Sequence, residues 1–578
     1  MDEFGSLVVR RRKAWLVGMG MATALWCFLA LFADIYFPTN DDKFLLRTFA
    51  GEAPDGVPTF HQYFYFFYVY PLKWLNQLFP TVAWVSVFEI VLMWISVSVI
   101  FKSIILCYVS KVSCCSKEKA VKWAGGVFYA ACLGLLFLFY QCARPTFTTT
   151  SASLGAAAAA HLISLDCRNE SDRHIVCSMS FGLVLLVMCY GMRQENLLPC
   201  LAFCGVAFLY QFFTCFGWGK SKKRNIRPLV CVGLIVLMTF SSLFLVRQIE
   251  IQMHNQQEHL TWDEKRSSVM DFLDMEKISF ETIEAIGWTK TQLALLNGWY
   301  TMEEAYSTEA FEYIAQSEAE SARISPGAAI YDFRTRSPLI ALSFIVLFFI
   351  GTGCLTGLMI HKKSTWDLVT LIIIACGCTV MLIYLALQGR LPYRAVLVPV
   401  IPAATLVFCL LPACLPEKKW FHSVFAILVA TGVACYFLPA AQSVKYVEPK
   451  WDYNTFEAMD QIAAENPDLL FIYSQELVND HRLFPEFPDA GGAPSNLMFW
   501  GGWQRGSLEY QSKLEAFGLD GDHFQPKDWL RPEIRYLTLQ DEPNPLLVQH
   551  LTEQLEKKVY WECEEMDIAL KAYRFFTE

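Results

Sequence analysis

Two adjacent carboxylates, Asp41 and Asp42, follow the first long apolar run of the chain. They lie in FPTNDDKF, residues 37–44, where a membrane-spanning segment would end. A carboxylate there can take a proton from a hydroxyl group, or can hold a hard divalent cation such as Mg²⁺ or Mn²⁺ against a phosphate. Either acid could instead cap a helix that begins near Lys43. Adjacent helical residues point about 100° apart, so only one acid can face a shared site. We favour Asp41, the first acid after the apolar run.

Arginine is the second residue type here that could do chemistry. A guanidinium group binds phosphate through two N–H groups and stays charged at any working pH. Several arginines at one depth would therefore form a docking site for a lipid phosphate. The alternative is that each one snorkels to the membrane surface or pairs with an acid. The candidates at the ends of apolar runs are Arg144, Arg193, Arg390 and Arg394.

Three further polar residues are candidates. Glu89 lies inside an apolar run, in VSVFEIVLMW. An acid in such a run usually faces a polar cavity, although a neighbouring hydroxyl could also satisfy it. Glu195 follows Arg193 in GMRQENLLP, and His61 opens the aromatic stretch HQYFYFFYVY.

Composition indicates that membrane-spanning helices position these groups. Hydrophobic residues make up 54% of the 578 residues, which is far from the composition of an ordinary soluble chain. A helical span needs roughly 20 apolar residues. Eleven apolar runs approach that length, at 14–33, 81–106, 123–142, 147–165, 175–190, 198–218, 229–246, 337–360, 367–388, 395–415 and 421–440.

Basic residues predict the orientation of these spans. RRRK, residues 10–13, precedes the first span, and further Lys and Arg residues cluster in alternate short loops. Positive charge favours the cytoplasmic side. We therefore expect a multi-pass plasma-membrane protein with a cytoplasmic N-terminus and an extracytoplasmic C-terminus. Three segments then face outward: 34–80, 247–336 and the region from 441 onward.

The predicted fold class is mainly α: a polytopic helical membrane domain of about eleven spans over residues 1–440, followed by a small extracytoplasmic α/β domain over 441–578. Helix-like NTFEAMDQIAAEN alternates there with strand-like LLFIYS and IRYLTL. Within 34–80, residues 61–79 are aromatic but are interrupted by Pro71 and Lys73. We expect an interfacial or re-entrant helix there rather than a twelfth span.

Charge and motifs exclude several classes of protein. The formal net charge is −9, and the outward segments carry no basic stripe, which argues against nucleic acid as a partner. The sequence contains no P-loop or Rossmann glycine fingerprint. No cofactor is indicated beyond a divalent cation at the Asp pair.

The layout resembles the GT-C class of integral membrane glycosyltransferases. The shared features are a basic start, one span, NDD at the opening of the first outer loop, many further spans and an outward α/β domain. RPTFTTTSA, WDEKRSSVMDF and GRLPYRAVLVP are also similar to segments of uncharacterised bacterial multi-span proteins. The WWDYG-like signature of oligosaccharyltransferases is not present.

The resemblance implies transfer of a sugar from a polyprenyl-phosphate carrier to a cell-surface glycan or lipid acceptor on the outer side. It also implies that an acid of the first outer loop, Asp41 or Asp42, is the catalytic base. Membrane lipids would surround the spans. Two alternatives stay open: a multi-span transporter or lipid or polysaccharide flippase, and a polymerase that joins lipid-linked polysaccharide repeats.

Overall fold

The computed structural model describes residues 2–111, 119–165, 172–216, 227–361, 365–414, 419–445, 455–477, 493–566 and 569–578. Over these residues the chain is mainly helical and carries a small sheet near its C-terminus. The helices up to residue 253 are α1 (Asp2–Phe32), α2 (Asn40–Phe49), α3 (Phe66–Leu78), α4 (Trp84–Lys111), α5 (Lys119–Leu133), α6 (Phe139–Ala143), α7 (Phe147–Ile163), α8 (Asp172–Met192), α9 (Leu197–Phe216) and α10 (Arg227–Met253).

The second half of the chain contains both helices and strands. Its helices are α11 (Gln257–Met270), α12 (Phe280–Ala285), α13 (Lys290–Asn297), α14 (Thr308–Ser317), α15 (Pro326–Arg336), α16 (Pro338–His361), α17 (Thr365–Leu387), α18 (Tyr393–Cys414), α19 (Lys419–Val444), α20 (Thr455–Glu465), α21 (Leu508–Ala516) and α22 (Pro545–Leu555). Its strands are β1 (Leu470–Tyr473), β2 (Leu497–Phe499), β3 (Ile534–Thr538), β4 (Val559–Glu565) and β5 (Lys571–Thr577).

Ten helices of the described chain are long and apolar enough to cross a membrane, which suggests a multi-pass membrane protein. They match ten of the eleven predicted segments. The other predicted segment, 147–165, forms α7, which has 17 residues. At 1.5 Å per residue α7 is about 26 Å long, slightly less than the hydrocarbon thickness of a bilayer. The structure therefore gives ten candidates where the sequence predicted eleven.

Helix α7 lies at the centre of the helical region, in contact with α4, α8, α9 and α18. Its sequence, FTTTSASLGAAAAAHLI, consists mostly of small residues, which allow neighbouring helices to approach closely. At Gly155 a Cβ atom would lie 2.2 Å from the Cys200 sulfur of α9, so only glycine fits there. Thr146 and Thr149 form a capping box that fixes the start of the helix.

The aromatic stretch 61–79 contains α3, which has 13 residues and is too short to cross a membrane. Three of its large side chains, Tyr70, Trp74 and Leu78, are exposed. They are spaced four residues apart and therefore lie along one face of the helix. This arrangement is the one expected of a helix that lies along an interface.

The five strands form one mixed sheet in the order β2-β1-β3-β5-β4. Strands β1, β2 and β3 are parallel and are buried along their whole length, as in sheets covered on both faces. Strands β5 and β4 complete the sheet as an antiparallel hairpin. The predicted helix NTFEAMDQIAAEN and the predicted strands LLFIYS and IRYLTL form α20, β1 and β3, whereas β2 and α21 between them were not predicted.

The sheet does not have a hydrophobic core of its own. One continuous cluster contains residues from both faces of β1, β2 and β3 together with Trp262, Leu295 and Phe311 of the segment 247–336. Phe44 of α2 belongs to the same cluster. The segment 247–336 and the sheet therefore share one core, which α2 joins through Phe44, whereas most of the buried apolar residues of 34–80 pack with the long apolar helices.

The basic loops on which the predicted orientation depends fall mainly at 112–118, 217–226, 362–364 and 415–418, which lie outside the described residues.

Candidate active site

Asp41 lies where the apolar helices meet the sheet region, a name used here for the elements from α20 to β5. Its Oδ2 atom is 2.5 Å from Nη1 of Arg394, which belongs to the first turn of α18. Its Oδ1 atom accepts a hydrogen bond of 3.1 Å from the Nε1–H group of Trp503. About a fifth of each charged side chain is exposed, 22% for Asp41 and 17% for Arg394. The carboxylate is therefore held by two distant parts of the chain and still has access to solvent.

Opposing effects determine the charge of Asp41. Burial is the largest single effect and raises the pKa of Asp41, because a buried carboxylate loses hydration. The charge and hydrogen bond of Arg394, with the charge of Arg193, outweigh burial, and the Trp503 N–H group adds to them. The pKa of Asp41 therefore lies below its ordinary value, and the group is ionised at neutral pH.

Asp42 has different surroundings, although it is the next residue. Its Oδ1 atom accepts a 2.8 Å hydrogen bond from the backbone N–H group of Phe147, the first residue of α7. Its Oδ2 atom accepts a hydrogen bond from the Thr39 hydroxyl, and its side chain is fully buried. Helix capping was one interpretation of the Asp pair. Asp42 does bind a helix N-terminus, but that of α7 rather than of its own helix.

Burial raises the pKa of Asp42 to about 7, against the effect of its two hydrogen bonds. A carboxyl group whose pKa is raised by folding binds more protons in the folded state than in the unfolded state between about pH 4 and pH 7. Its contribution to stability is complete below pH 4 and is lost as the pH rises through 7. Asp42→Asn keeps a neutral group with both hydrogen-bonding capacities, so we expect its melting temperature to exceed that of wild type by a larger margin at pH 8 than at pH 5. Thermal unfolding followed by tryptophan fluorescence measures both values, and an equal difference at the two pH values would contradict this prediction.

Two of the four predicted phosphate-binding arginines lie near Asp41. Arg394 uses Nη1 for Asp41 and for the Thr39 hydroxyl, which leaves Nε and Nη2 without a partner among the described residues. Arg193 lies over the rings of Tyr63 and Phe147, at 5.4 and 4.9 Å, and is close enough to lower the pKa of Asp41. The two guanidinium groups together can bind an anion beside the carboxylate.

The other two predicted arginines have different contacts. Arg144 is buried and donates to the backbone oxygens of Asp34, Ala143 and Ser443, so its N–H groups hold chain segments together. Arg390 forms a 2.6 Å ion pair with Asp271 at the end of α11. The structure does not bring Arg144 and Arg390 to the Asp41 carboxylate.

The remaining polar candidates are separated from one another. Both carboxylate oxygens of Glu89 are buried and lack a hydrogen-bond partner within the described chain, although Glu89 lies within electrostatic range of Asp42. Glu195 is 65% exposed and lies 3.4 Å from Nε of Arg193.

His61 lies close to the Trp503 ring, and the two ring centroids are 5.7 Å apart. Its Nδ1 atom accepts a 3.2 Å hydrogen bond from the Tyr63 backbone, so the ring proton is on Nε2. Burial lowers the pKa of His61 to about 3, with help from the charge of Arg247. His61 is therefore neutral at ordinary pH.

The residues present do not fit a divalent cation. Both oxygens of Asp42 accept hydrogen bonds, and those of Asp41 are held by Arg394 and Trp503. The described residues contain no group of three or more His, Cys, Asp or Glu side chains with metal-binding geometry. Two guanidinium groups would also repel a cation at this place. Arginine, rather than a metal, is the electrophilic partner that these residues offer.

Sequence reasoning did not identify Trp503, although a signal for it exists. Trp503 follows Gly501 and Gly502, whose φ values of 153° and 70° are rarely adopted by residues with side chains. At Gly501 a Cβ atom would lie 2.5 Å from the backbone nitrogen of Thr301. The Gly-Gly pair is therefore required for a tight turn that presents the indole to Asp41. A paired glycine before an aromatic residue, in a segment next to a strand, is the pattern that could have revealed it.

A buried ion network anchors α2, the helix that carries Asp41. Arg47 donates two hydrogen bonds to Asp460 of α20, at 3.1 and 2.7 Å, and lies 3.0 Å from Glu52. Lys513 of α21 lies 3.2 Å from Glu52 and 3.3 Å from Glu509. All five side chains are almost completely buried. The network therefore couples the position of α2 to that of the sheet region.

The network contains three acids and two bases. Burial raises the pKa of Asp460, and it raises the pKa of Glu509 with help from the neighbouring charge of Glu52. The charges of Arg47 and Lys513 outweigh burial at Glu52 and lower its pKa. Each charge in the network depends on its partners, so removal of one partner leaves a buried charge uncompensated.

Comparisons of the chain with family models, with curated proteins and with solved structures find no match.

Proposed function

We propose that this chain is a multi-pass plasma-membrane glycosyltransferase that moves a sugar from a polyprenyl-phosphate donor to a cell-surface glycan or lipid acceptor. The reaction takes place on the outer side of the membrane, with Asp41 as the base. One observation carries the proposal. An ionised, partly exposed carboxylate lies beside the guanidinium groups of Arg394 and Arg193, near the ends of apolar helices. Nε and Nη2 of Arg394 and the two Nη atoms of Arg193 have no hydrogen-bond partner among the described residues.

The proposed reaction is a single displacement at the anomeric carbon. The acceptor hydroxyl oxygen forms a bond to this carbon while its proton passes to Asp41. The bond between the carbon and the phosphate oxygen breaks, and its electron pair stays on the phosphate. Arg394 and Arg193 then stabilise the negative charge that grows on the phosphate, and such preorganised donors are typically the largest single contribution to catalysis.

The position of Asp41 supports a donor that is dissolved in the membrane. Asp41 lies in α2, the short helix after α1. Arg193 lies between α8 and α9, and Arg394 lies in the first turn of α18. All three therefore lie near the ends of helices that are apolar enough to span a membrane. A lipid phosphate placed between such helices would meet the arginines at the level of its charged group. A soluble nucleotide sugar would not require this position.

Release of free polyprenyl phosphate from a labelled polyprenyl-phosphate sugar tests the proposal. Purified full-length protein in detergent is incubated with a panel of such donors and with a mixture of cell-envelope acceptors. We expect donor consumption with release of one polyprenyl phosphate for each sugar transferred. Intact donor in every combination would contradict the proposal.

Trp503→Phe tests whether the Trp503 hydrogen bond lowers the pKa of Asp41. The substitution keeps an aromatic ring but removes the N–H donor to Asp41, and a hydrogen bond to a charged group contributes about 1.5 to 3 kcal/mol. The Trp503 N–H group lowers the pKa of Asp41, so its loss raises this pKa. Transfer requires the ionised carboxylate, so we expect the acid limb of the pH–rate profile to move to higher pH. Trp500→Phe is the matched control, because the Trp500 N–H group donates to Gly298 and not to Asp41. An unchanged acid limb in Trp503→Phe would show that the hydrogen bond does not act on the base.

Glu89 favours a second candidate function, a transporter driven by protons. Its two oxygens lack a partner within the described chain, and it lies in α4, which is apolar enough to span a membrane. Ionisable residues inside spans often belong to proton or substrate pathways. Uptake of labelled solute into vesicles that depends on a pH gradient and is lost in Glu89→Gln would favour this candidate.

A further inference from the structure

A second feature of the molecule lies outside the Asp41 site. The end of α10, the start of α11, the segment 304–309 and residues 505–523 enclose an open groove of about 980 Å³. We propose that this groove binds a neutral glycan chain. The proposal deepens the proposed function, on which it rests for the role of this glycan as the acceptor.

The chemistry of the groove fits a polyhydroxylated ligand. Its lining contains side-chain amides, such as Gln252 and Gln257, and hydroxyls, such as Ser307 and Thr308. Amides and hydroxyls both donate and accept hydrogen bonds, as sugar hydroxyls do. The lining also contains the imidazole of His259, and burial lowers the pKa of His259 to about 4, so that it is neutral. A volume of about 980 Å³ lies at the upper end of the range for small-molecule sites, which suits a chain of several sugar units.

The charges of the groove disfavour an anionic ligand. Among the described lining residues the one Lys or Arg side chain is Arg505, against four carboxylates. Arg505 is buried, donates to the Tyr306 backbone oxygen and lies 5.0 Å from the centre of the Trp262 ring. Its charge is therefore already engaged. A phosphate, a nucleotide or a uronic acid would meet net negative charge, whereas a neutral glycan would not.

The inner end of the groove leads towards Asp41. His259 and Gln256 line both the groove and a cavity of about 20 Å³, in which a water molecule fits. Two buried nitrogens of residues lining this cavity, Nδ1 of His259 and Nε2 of His61, have no hydrogen-bond partner among the described residues. Unpartnered buried polar atoms indicate a bound water or ligand group. Trp503 also lines the cavity and donates to Asp41, so the groove is linked to the carboxylate through this cavity and the indole.

Binding to full-length protein in nanodiscs tests the inference. The probes are short soluble neutral oligosaccharides, with uronic-acid oligosaccharides and inorganic phosphate as anionic probes. We expect neutral probes to bind and anionic probes not to bind. The pair of substitutions Gln252→Ala and Thr308→Ala removes groove hydrogen bonds and should weaken binding about tenfold. Gln316→Ala, on the same helix α14 but outside the lining, should leave binding unchanged.

Gln252→Trp, at an exposed position on the groove wall, places an indole in the groove and should weaken binding of the neutral probes without a change in melting temperature. A second arm presents the same oligosaccharides on a polyprenyl lipid in the nanodisc. Equal affinity for the free and lipid-linked forms identifies a free glycan, and binding of the lipid-linked form alone identifies a lipid-linked glycan.

Three other outcomes overturn the inference. They are no binding of a neutral probe in either form, equal binding of the anionic probes, and full affinity in Gln252→Trp. Failure of the groove proposal can be distinguished from failure of the proposed glycosyltransferase function. Donor turnover without glycan binding in the groove overturns the groove alone. Glycan binding that Asp41→Asn retains, without sugar transfer by wild type, overturns the proposed transferase alone.

Discussion

Replacement of Asp41 by asparagine is expected to lower the rate of sugar transfer by about 10² to 10⁴, the usual contribution of a positioned general base. The asparagine side chain has the same size and can still accept the Trp503 hydrogen bond, but it cannot take a proton from a hydroxyl group. The ion pair with Arg394 is also lost. We therefore expect the rate of the chemical step to fall much more than the affinity for the donor. The initial rate of polyprenyl-phosphate release at equal amounts of folded protein measures this effect.

Asp42→Asn is the matched control for this prediction. It changes the adjacent acid in the same way, but Asp42 is fully buried and its oxygens bind the start of α7 and the Thr39 hydroxyl. The control should retain most of the activity at neutral pH. If Asp42→Asn loses as much activity as Asp41→Asn, the assignment of the base to Asp41 is wrong.

Arg47→Met is expected to lower the free energy of unfolding of the sheet region by about 3 to 5 kcal/mol. Removal of one partner from a buried ion pair leaves an uncompensated charge, which costs about that amount. Here the substitution leaves both Asp460 and Glu52 without the guanidinium group. Because α2 carries Asp41, the variant should also lose activity. Chemical denaturation followed by tryptophan fluorescence measures the change in stability.

Two further variants make this prediction specific. Arg336→Met removes an exposed ion pair with Asp332, in which the two side chains are 81% and 55% exposed, and should cost less than about 1 kcal/mol. Arg47→Met combined with Asp460→Asn should be less destabilised than the sum of the two single variants, because the second substitution removes a charge that the first leaves buried. Additive losses would mean that Arg47 and Asp460 do not stabilise each other.

Local sequence patterns predicted the parts of the fold that depend on hydropathy alone. Ten apolar runs form helices long enough to cross a membrane, and α20, β1 and β3 were predicted correctly after residue 454, whereas β2 and α21 were not predicted. The central place of α7 was not predicted, because small residues reveal close packing only when the partner helices are known. The shared core of 247–336 and the sheet also depends on contacts between residues far apart in the sequence.

The sequence predicted the positions of some residues of the candidate site, but not their surroundings. The position of Asp41 after an apolar run and of Arg394 before one placed both at a predicted membrane surface, and the structure brings them together. The different surroundings of Asp41 and Asp42 could not be predicted, because they depend on which side chain faces α7 and which faces Trp503. Arg144 and Arg390 had equal claims in the sequence, but their partners are backbone oxygens and Asp271, which only the folded chain brings near.

The most direct test of the transferase proposal is a mass balance in sealed vesicles that contain the full-length protein and a doubly labelled polyprenyl-phosphate sugar. One label follows the sugar and the other follows the lipid. The proposal predicts that the sugar label becomes covalently attached to an acceptor, that free polyprenyl phosphate appears in equal amount, and that Asp41→Asn stops both. If the labelled donor or a solute instead crosses the bilayer with its bonds intact, and Asp41→Asn makes no difference, the chain is a transporter and the proposed role of Asp41 is wrong.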